Sequence, residues 1–283
     1  MLTLLHISDL HFGPPYVPEV GEALLRLAPE TKPDIIVASG DFTQRAKAEQ
    51  FAAARDYLNR LPKVPIVVVP GNHDLPLYRL RERLFSPYAL YRQYISQELD
   101  SVLRREDAVI VALNTTDPIL AVTNGRIRDS QLEMCTQAFR DAPAGAVKIV
   151  VAHHHFAPAP DYGDDVDVMR HAQRGLDRFI DLGVDLILGG HLHRAYIGNS
   201  LDVYPSNDRT SGIIIVQSGT TTSQRGRLRE REKNTFNLIK IGDDVVRITH
   251  YMYFHEAGGF APVSRHIFPR RSRHYFTDHP SAE

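Results

Sequence analysis

The chain has 283 residues, of which 43% are hydrophobic and 24% charged, with 18 glycines and 18 prolines. This composition excludes a disordered or fibrous chain, and the length suits a single layered α/β enzyme. The formal net charge of −1 provides no global positive field for a nucleic-acid backbone, so a small-molecule partner is favoured and nucleic acid is not.

The sequence also indicates where the protein works. It contains no run of about 18 apolar residues, the length needed for a membrane span, and it begins without a basic region followed by a cleavage site. We therefore predict a cytoplasmic protein. Its one cysteine, Cys135, lies in a segment with helical periodicity and is interpreted as a small apolar residue, not a nucleophile.

Six short runs rich in valine and isoleucine end abruptly at polar residues, a pattern typical of buried strands followed by functional loops. In chain order they are Thr3–Ile7, Asp34–Ser39, Ile66–Pro70, Ala108–Leu113, Val147–Ala152 and Val184–Leu188. Several are separated by segments of helical periodicity, at Glu19–Leu27, Ala46–Leu61, Pro87–Leu99, Ser130–Arg140 and Met169–Leu182. This alternation predicts βαβ units.

The last third of the chain changes character. Three further strands joined by short turns are predicted at Ile213–Gln217, Thr235–Ile241 and Val245–Phe254. An antiparallel sheet packed on the first would give a mixed two-sheet α/β sandwich, which we assign to one domain of residues 1–254. Residues 255–283 lack a hydrophobic period and are predicted to be a solvated basic tail. The alternative is that this tail folds over the site or contacts an anionic partner.

Nearly every polar cluster follows a predicted strand, where the loops of an open α/β sheet converge. Five clusters carry side chains that bind metals: Asp9 and His11; Asp41; Asn72 and His73; His153 or its neighbours; His191 and His193. One such cluster alone is weak evidence, since a lone histidine after a strand usually forms ordinary hydrogen bonds. The series Asp-x-His, Gly-Asp, Gly-Asn-His-Asp and Gly-His-x-His, in this order, makes chance a poor explanation.

These motifs, complete from Asp9 to His193, resemble the calcineurin-like metallophosphoesterase superfamily, and within it the bacterial class III cyclic nucleotide phosphodiesterase-like branch. The resemblance implies a four-layer α-β-β-α sandwich with two mixed β-sheets and a metal site at the carboxyl ends of the strands. It also implies two divalent or trivalent metal ions (Mn, Fe or Zn). The first would be held by Asp9, His11, Asp41 and His193, and the second by Asp41, Asn72, His153 and His191.

The function expected from the resemblance is hydrolysis of a phosphodiester, such as a cyclic nucleotide, or of a phosphomonoester, by attack of a metal-bridging hydroxide. His73 would point toward the substrate and stabilise the transition state or protonate the leaving oxygen. Asp74 would orient His73 through a carboxylate–imidazole hydrogen bond.

Some assignments carry alternatives. His153 is taken as the metal ligand because it directly follows the strand, with His154 as the fallback. His155 stands where relatives have proline, and a pocket role for His154 or His155 is weighed against plain solvation. Gln44 replaces an aspartate or asparagine of many relatives. Arg45 could contact an anionic substrate, although an exposed arginine at a helix start is the other interpretation.

Other functions are also considered. A pyrophosphatase acting on a nucleotide-linked lipid precursor, such as UDP-diacylglucosamine, would need an apolar groove or lid, for which Leu75–Tyr94 is the candidate. A nuclease is disfavoured by the neutral charge. A non-catalytic metal-binding scaffold is disfavoured by the intact ligand set and by His73. The oligomeric state is left open, with a dimer as one option.

Overall fold

The protein is described by a computed structural model, which covers residues 1–119, 123–158, 168–203, 212–226 and 233–270. The strands are β1 (Leu2–Ile7), β2 (Ile35–Ala38), β3 (Ile66–Val68), β4 (Ser101–Arg104), β5 (Ala108–Leu113), β6 (Val147–Ala152), β7 (Leu186–Gly189), β8 (Tyr196–Asn199), β9 (Ile214–Gln217), β10 (Thr235–Ile241), β11 (Val245–Phe254) and β12 (Gly259–Pro269). The helices are α1 (Pro18–Leu27), α2 (Ala48–Leu58), α3 (Leu80–Phe85), α4 (Ala89–Tyr94), α5 (Asp129–Arg140), α6 (Ala172–Asp181) and α7 (Ser200–Val203).

The strands form two six-stranded sheets. The first has the order β12-β11-β10-β1-β2-β3, parallel from β1 to β3 and antiparallel from β1 through β10 and β11 to β12. The second has the order β4-β5-β6-β7-β9-β8, parallel from β5 through β6 and β7 to β9 and antiparallel at both edges. Both sheets are mixed, as the sequence predicted.

Three buried clusters show how the layers pack. Alternate residues of both sheets, such as Leu4 and Ile149, meet in a core between the sheets. The opposite face of the second sheet packs on α5 and α6, where Phe139 and Phe179 are buried. The opposite face of the first sheet packs on α1 and α2 through residues such as Phe51. The fold is therefore the predicted α-β-β-α sandwich.

The structure differs from the predicted elements at the edges of the sheets. Strands β4, β8 and β12 have mostly half-buried or exposed side chains, so no hydrophobic pattern reveals them. Strand β12 lies in the segment assigned to a tail and pairs with β11 from Val245 to Phe254. The rest of that segment, from residue 271, lies outside the described residues. The single helix predicted at Pro87–Leu99 is shorter, because α4 ends at Tyr94.

Among the residues that the structure describes, none of the helices combines the length and the apolar character needed to cross a bilayer.

Candidate metal centre

The predicted site residues stand at the carboxyl ends of five parallel strands. Asp9 and His11 follow β1, Asp41 follows β2 and Asn72 follows β3 in the first sheet, while the histidines at 153–155 follow β6 and those at 191 and 193 follow β7 in the second. Because the strands run parallel within each sheet, their ends share one edge, and the two edges meet.

The backbone is strained where it turns into the site. Eight non-glycine residues in the described part of the chain have positive φ, and five of them are predicted ligands: Asp9, His11, Asp41, His191 and His193, with φ between 49 and 73. This left-handed region is rarely occupied by residues with a side chain and costs on the order of 1–3 kcal/mol each. Such strain persists at functional sites, because it aims side chains of one loop toward a common point.

A first cluster joins Asp9, His11, Asp41 and His193, whose candidate ligand atoms all lie within 4.8 Å of one another. Nε2 of His193 lies 3.1 Å from Oδ1 of Asp9 and 2.9 Å from Nε2 of His11. Nε2 of His11 lies 3.6 Å from a carboxylate oxygen of Asp9 and 3.6 Å from one of Asp41. These are the four residues expected to hold the first metal.

A second cluster contains His153, His154 and His191. Oδ1 of Asn72 lies 3.2 Å from Nε2 of His153 and 3.0 Å from Nδ1 of His191. Oδ2 of Asp41 lies 3.4 Å from Nε2 of His153 and also faces His11, so Asp41 stands between the two clusters. The structure thus brings both His153 and its fallback His154 to the second cluster.

Backbone carbonyls orient two of these imidazoles. Nδ1 of His153 lies 2.7 Å from the carbonyl oxygen of Ser39, and Nδ1 of His193 lies 2.7 Å from that of Arg225. Because a carbonyl oxygen only accepts, both Nδ1 atoms donate, which leaves the Nε2 atom of each ring to offer a lone pair to the clusters once it has lost its proton. Lone pairs of this kind, gathered around carboxylates, suit a bound cation.

The charges of the site favour a cation as well. Burial opposes ionisation of Asp9 and Asp41, but the histidines beside them, His193 and His153 respectively, hold both carboxyl pKa values well below the usual range. Burial lowers the pKa of His11 to about 4. Burial also acts against a charge on His153, but the carboxylate of Asp41 raises its pKa to about 9. Positive charge is therefore stabilised beside Asp41.

Several buried polar atoms remain without a hydrogen-bond partner in the described part of the chain. They include Nδ1 of His11 and Nε2 of His154, both on residues with no exposed surface. Buried polar atoms normally have hydrogen-bond partners, so several buried atoms without one in the same place indicate that a ligand binds there. The donor set of carboxylate oxygens, an amide oxygen and imidazole nitrogens fits Mn, Fe or Zn.

A comparison with known families settles the membership. The sequence profile described as calcineurin-like phosphoesterase matches residues 2–195, a stretch that contains both clusters. The chain belongs to this family. The membership confirms the resemblance read from the motifs and the predicted hydrolase class.

Individual relatives of this calcineurin-like phosphoesterase are distant. A protein of Arcobacter nitrofigilis named "Probable glycerophosphodiester phosphodiesterase GpdQ" is 26% identical over 168 residues, which cover 58% of this chain and 58% of the relative. The chain thus matches little more than half of that relative's length.

Solved structures share the fold of this calcineurin-like phosphoesterase at low sequence identity. The purple acid phosphatase PPD1 from yellow lupin (Lupinus luteus) seeds has a TM-score of 0.64 at 11% identity, covering 88% of this chain and 51% of that chain. The structure of PhoD has a TM-score of 0.63 at 12% identity, covering 93% and 71%. At these identities the likeness shows the fold alone.

Glycines of the family motifs make room for the site, a role that the sequence analysis missed. A Cβ atom on Gly40 would lie 2.6 Å from Nδ1 of His153, and one on Gly190 would lie 1.9 Å from the hydroxyl of Ser8. A Cβ atom on Gly71 would lie 2.1 Å from a carboxylate oxygen of Asp41. Their positions next to the ligands in Gly-Asp, Gly-Asn-His-Asp and Gly-Gly-His were the available signal.

His73 lies beside the first cluster, but its predicted partner is corrected. Its ring packs edge-on against His11 at 4.9 Å, and its Nδ1 lies 3.0 Å from the carbonyl oxygen of Gln44, to which it donates. Asp74 instead accepts hydrogen bonds from the backbone N–H groups of Gly71, Phe42 and Thr43 at 2.9–3.2 Å. Asp74 thus ties two loops together, because its carboxylate lies among backbone donors and not beside the imidazole.

The pKa values of His73 and Asp74 are shifted in opposite directions. Burial lowers the pKa of His73, which favours the neutral ring at neutral pH. Burial and the nearby Asp41 raise the pKa of Asp74 to about 7. With Nδ1 donating to Gln44, Nε2 is the atom of His73 that can take up or release a proton.

His154 and His155 are not solvated, which removes one of the two interpretations. Both are almost fully buried. Nδ1 of His154 lies 2.8 Å from the hydroxyl oxygen of Thr115, and the ring of His155 stacks on that of His191 at 5.7 Å. The two side chains therefore line the second cluster from inside the protein.

Arg45 is exposed, and its guanidinium lies over the ring of Tyr78, 4.5 Å from the centroid. Both residues line a cavity of about 370 Å³ that reaches His73. The other lining residues are Gln44, Lys47, Leu75, Leu77 and Arg79. Arg79 donates to the carbonyl oxygens of Arg45 and Ala46 and so holds the rim of this cavity.

Proposed function

We propose that the protein is a dinuclear metal-dependent phosphodiesterase. The observation that carries this proposal is the pair of buried clusters that share Asp41, next to a cavity that reaches His73. The proposed ligands of the first metal are Asp9, His11, Asp41 and His193. The proposed ligands of the second are Asp41, Asn72, His153 and His191, and His154 is close enough to replace or join His153.

Two cations at these positions would lower the pKa of a water molecule and neutralise phosphate oxygens, as two-metal sites do at a separation of about 3.5–4 Å. The protein supplies the geometry. Ser39 and Arg225 fix the imidazoles of His153 and His193 through their carbonyl oxygens. The backbone N–H of His73 donates to Oδ1 of Asp41 at 2.8 Å, which holds the shared carboxylate in place.

His73 would handle the leaving group. Its Nδ1 is occupied by the carbonyl of Gln44, so Nε2 would donate a proton to the leaving oxygen when the ring is protonated. Because burial lowers the pKa of the free ring, a bound anionic phosphoester would be needed to favour the protonated form. Arg45, at the rim of the same cavity, would attract the anionic substrate.

The relative named for glycerophosphodiester cleavage supports testing small phosphodiesters first, with cyclic nucleotides and phosphomonoesters beside them. One observation supports the second candidate function, cleavage of a nucleotide-linked lipid precursor. The cavity wall includes Leu75, Leu77 and Tyr78, all within the segment where an apolar groove was expected. A cytoplasmic location is part of the proposal.

The experiment is a metal analysis combined with a rate measurement. The purified protein, loaded with Mn, Fe or Zn in turn, is assayed on bis(p-nitrophenyl) phosphate and on a library of phosphoesters. We expect two metal ions per chain, and a fall in kcat of roughly 100-fold or more for His73→Ala, in the range of general acid catalysis. The matched control is His255→Ala, which changes an exposed histidine next to Tyr253.

Two results would contradict the proposal. A stoichiometry of one metal per chain in the fully active protein would rule out the dinuclear centre. Equal rates for His73→Ala and the unmodified protein would remove the assigned role of His73.

A further inference from the structure

Helix α3 contributes nothing to the core. None of its six residues is buried, and the exposed fractions of Leu80, Leu84 and Phe85 are 64%, 48% and 82%. Tyr78, just before the helix, is 78% exposed. Among the nine large apolar side chains exposed in the described part of the chain, these four fall within eight consecutive positions. We call Tyr78, Leu80, Leu84 and Phe85 the α3 face.

Such a face needs an explanation, because a surface helix normally turns its apolar side chains toward the core. Leu80 and Leu84 are one turn apart and share a side of the helix, and Phe85 follows directly. Ile119, 61% exposed, adjoins the same region, since Arg83 donates to the carbonyl of the preceding residue, Pro118. Clustered exposed apolar side chains of this kind mark an interaction surface.

The α3 face is surrounded by positive charge. Residues 78–92 contain four arginines and one glutamate, a sum of +3, whereas the whole chain has a formal net charge of −1. The glutamate, Glu82, is paired with Arg79 at 2.8 Å. The side chain of Arg81 is exposed and forms no hydrogen bond or ion pair with any described residue. Positive charge therefore remains available for a partner.

This combination discriminates among partners. A second copy packing symmetrically would place α3 against α3 and so bring the arginines of both copies together, which costs free energy. An anionic lipid surface satisfies both features, because its acyl region takes apolar side chains while its phosphate groups take arginines. We propose that the α3 face docks on an anionic lipid bilayer.

Docking would also serve the site. Tyr78 belongs to the α3 face and lines the cavity that reaches His73, and Leu75 and Leu77 continue the apolar wall inward. A bilayer held at the α3 face would therefore lie at the entrance of this cavity. The substrate class that follows, an amphiphilic phosphoester taken from the lipid surface, rests on the proposed function. The docking itself does not.

The test is flotation of the full chain with vesicles of phosphatidylglycerol and phosphatidylcholine in equal parts, and with vesicles of phosphatidylcholine alone. We expect binding to the anionic vesicles only. Leu84→Ser combined with Phe85→Ser should weaken it by about tenfold or more, since each loses an apolar group that enters the lipid. The matched control is Ile267→Ser. Ile267 is 65% exposed on β12, which lies at the opposite edge of the first sheet from β3, the last strand before α3.

Charge is tested by a second pair of variants. Arg81→Glu should weaken binding to the anionic vesicles and steepen its loss with added salt, whereas Arg265→Glu, on the exposed side of β12, should not. An equal loss in both members of either pair would overturn the proposal, as would equal binding to the two kinds of vesicle. A dimer that separates in the Leu84→Ser, Phe85→Ser variant, without vesicle binding, would assign the α3 face to a second copy.

The two proposals can fail separately. Hydrolysis of soluble bis(p-nitrophenyl) phosphate should be unchanged in the Leu84→Ser, Phe85→Ser variant, because neither residue lines the cavity at His73. Vesicle binding by a protein that hydrolyses no phosphoester would uphold docking and reject the proposed function. Hydrolysis without vesicle binding would uphold the proposed function and reject docking.

Discussion

Gly71 leaves no room for a methyl group beside the shared ligand Asp41. A Cβ atom at this position would lie 2.1 Å from Oδ1 of Asp41 and 2.4 Å from its backbone nitrogen. Non-bonded heavy atoms normally keep about 3.5–4.0 Å, so the loop of Asp41 would have to retreat by about 1 Å or more. The φ of Gly71 is −103, which alanine adopts readily, so Gly71→Ala tests space and not backbone strain.

The expected loss follows from the tolerance of metal sites. Ligand distances vary by only about 0.2 Å, so a shift of about 1 Å withdraws Asp41 from both clusters. A misplacement of this size costs about 100-fold in rate, or about 2.7 kcal/mol in the activation barrier. The strain of the added methyl group lowers the free energy of unfolding by about 1–3 kcal/mol, less than the stability of most domains.

The assay compares metal content per chain, by elemental analysis, with kcat/KM on bis(p-nitrophenyl) phosphate. Circular dichroism verifies that the variant is folded. The control is Gly242→Ala, whose added Cβ would meet its nearest neighbour, the carbonyl oxygen of Val245, at an ordinary 3.7 Å. Full metal content and an unchanged rate in Gly71→Ala would refute the position of Asp41 between the two clusters.

Three further predictions follow from the contacts and charges of the site. Asp74→Asn should lower the free energy of unfolding by about 1–3 kcal/mol, because both carboxylate oxygens accept from backbone N–H groups and an amide nitrogen cannot. In the folded variant kcat should fall less than in His73→Ala, because the carbonyl of Gln44 and not Asp74 holds His73; an equal loss would restore the orienting role. Metal affinity should rise with pH up to about 9, because a metal must displace the proton of His153. Calorimetry in buffers of different ionisation enthalpy measures the protons released, and binding without proton release at pH 7.5 would contradict this prediction. Burial lowers the pKa of His6 to about 3, so the unfolded chain takes up a proton at this residue below pH 6.5 that the folded chain refuses until pH approaches 3. Its contribution to stability is thus complete well above pH 6.5 and falls by about 2 kcal/mol between pH 6.5 and 4.5. Urea unfolding of the metal-free protein should show a smaller fall in His6→Gln, and an equal fall in both proteins would reject this prediction.

The sequence by itself determined the strands that carry the site and the residues at their ends. Runs such as Ala108–Leu113 are apolar throughout because parallel strands between two layers are buried on both faces. The polar residues that interrupt them stand at one sheet edge by the topology of βαβ units. These are local patterns, so Asp9, Asp41 and His191 could be placed at one edge without knowledge of any distance between them.

Only the tertiary structure decided which groups meet. Nothing in the sequence around Asp74 indicates that its carboxylate faces the N–H groups of Phe42 and Thr43, which lie more than thirty residues away. The same holds for His154, whose nearness to His191 depends on how the ends of β6 and β7 are paired. Edge strand β12 and helix α3 bury little surface, so their hydrophobic pattern carries no signal. Contacts between distant segments depend on packing and register, which a local pattern does not encode.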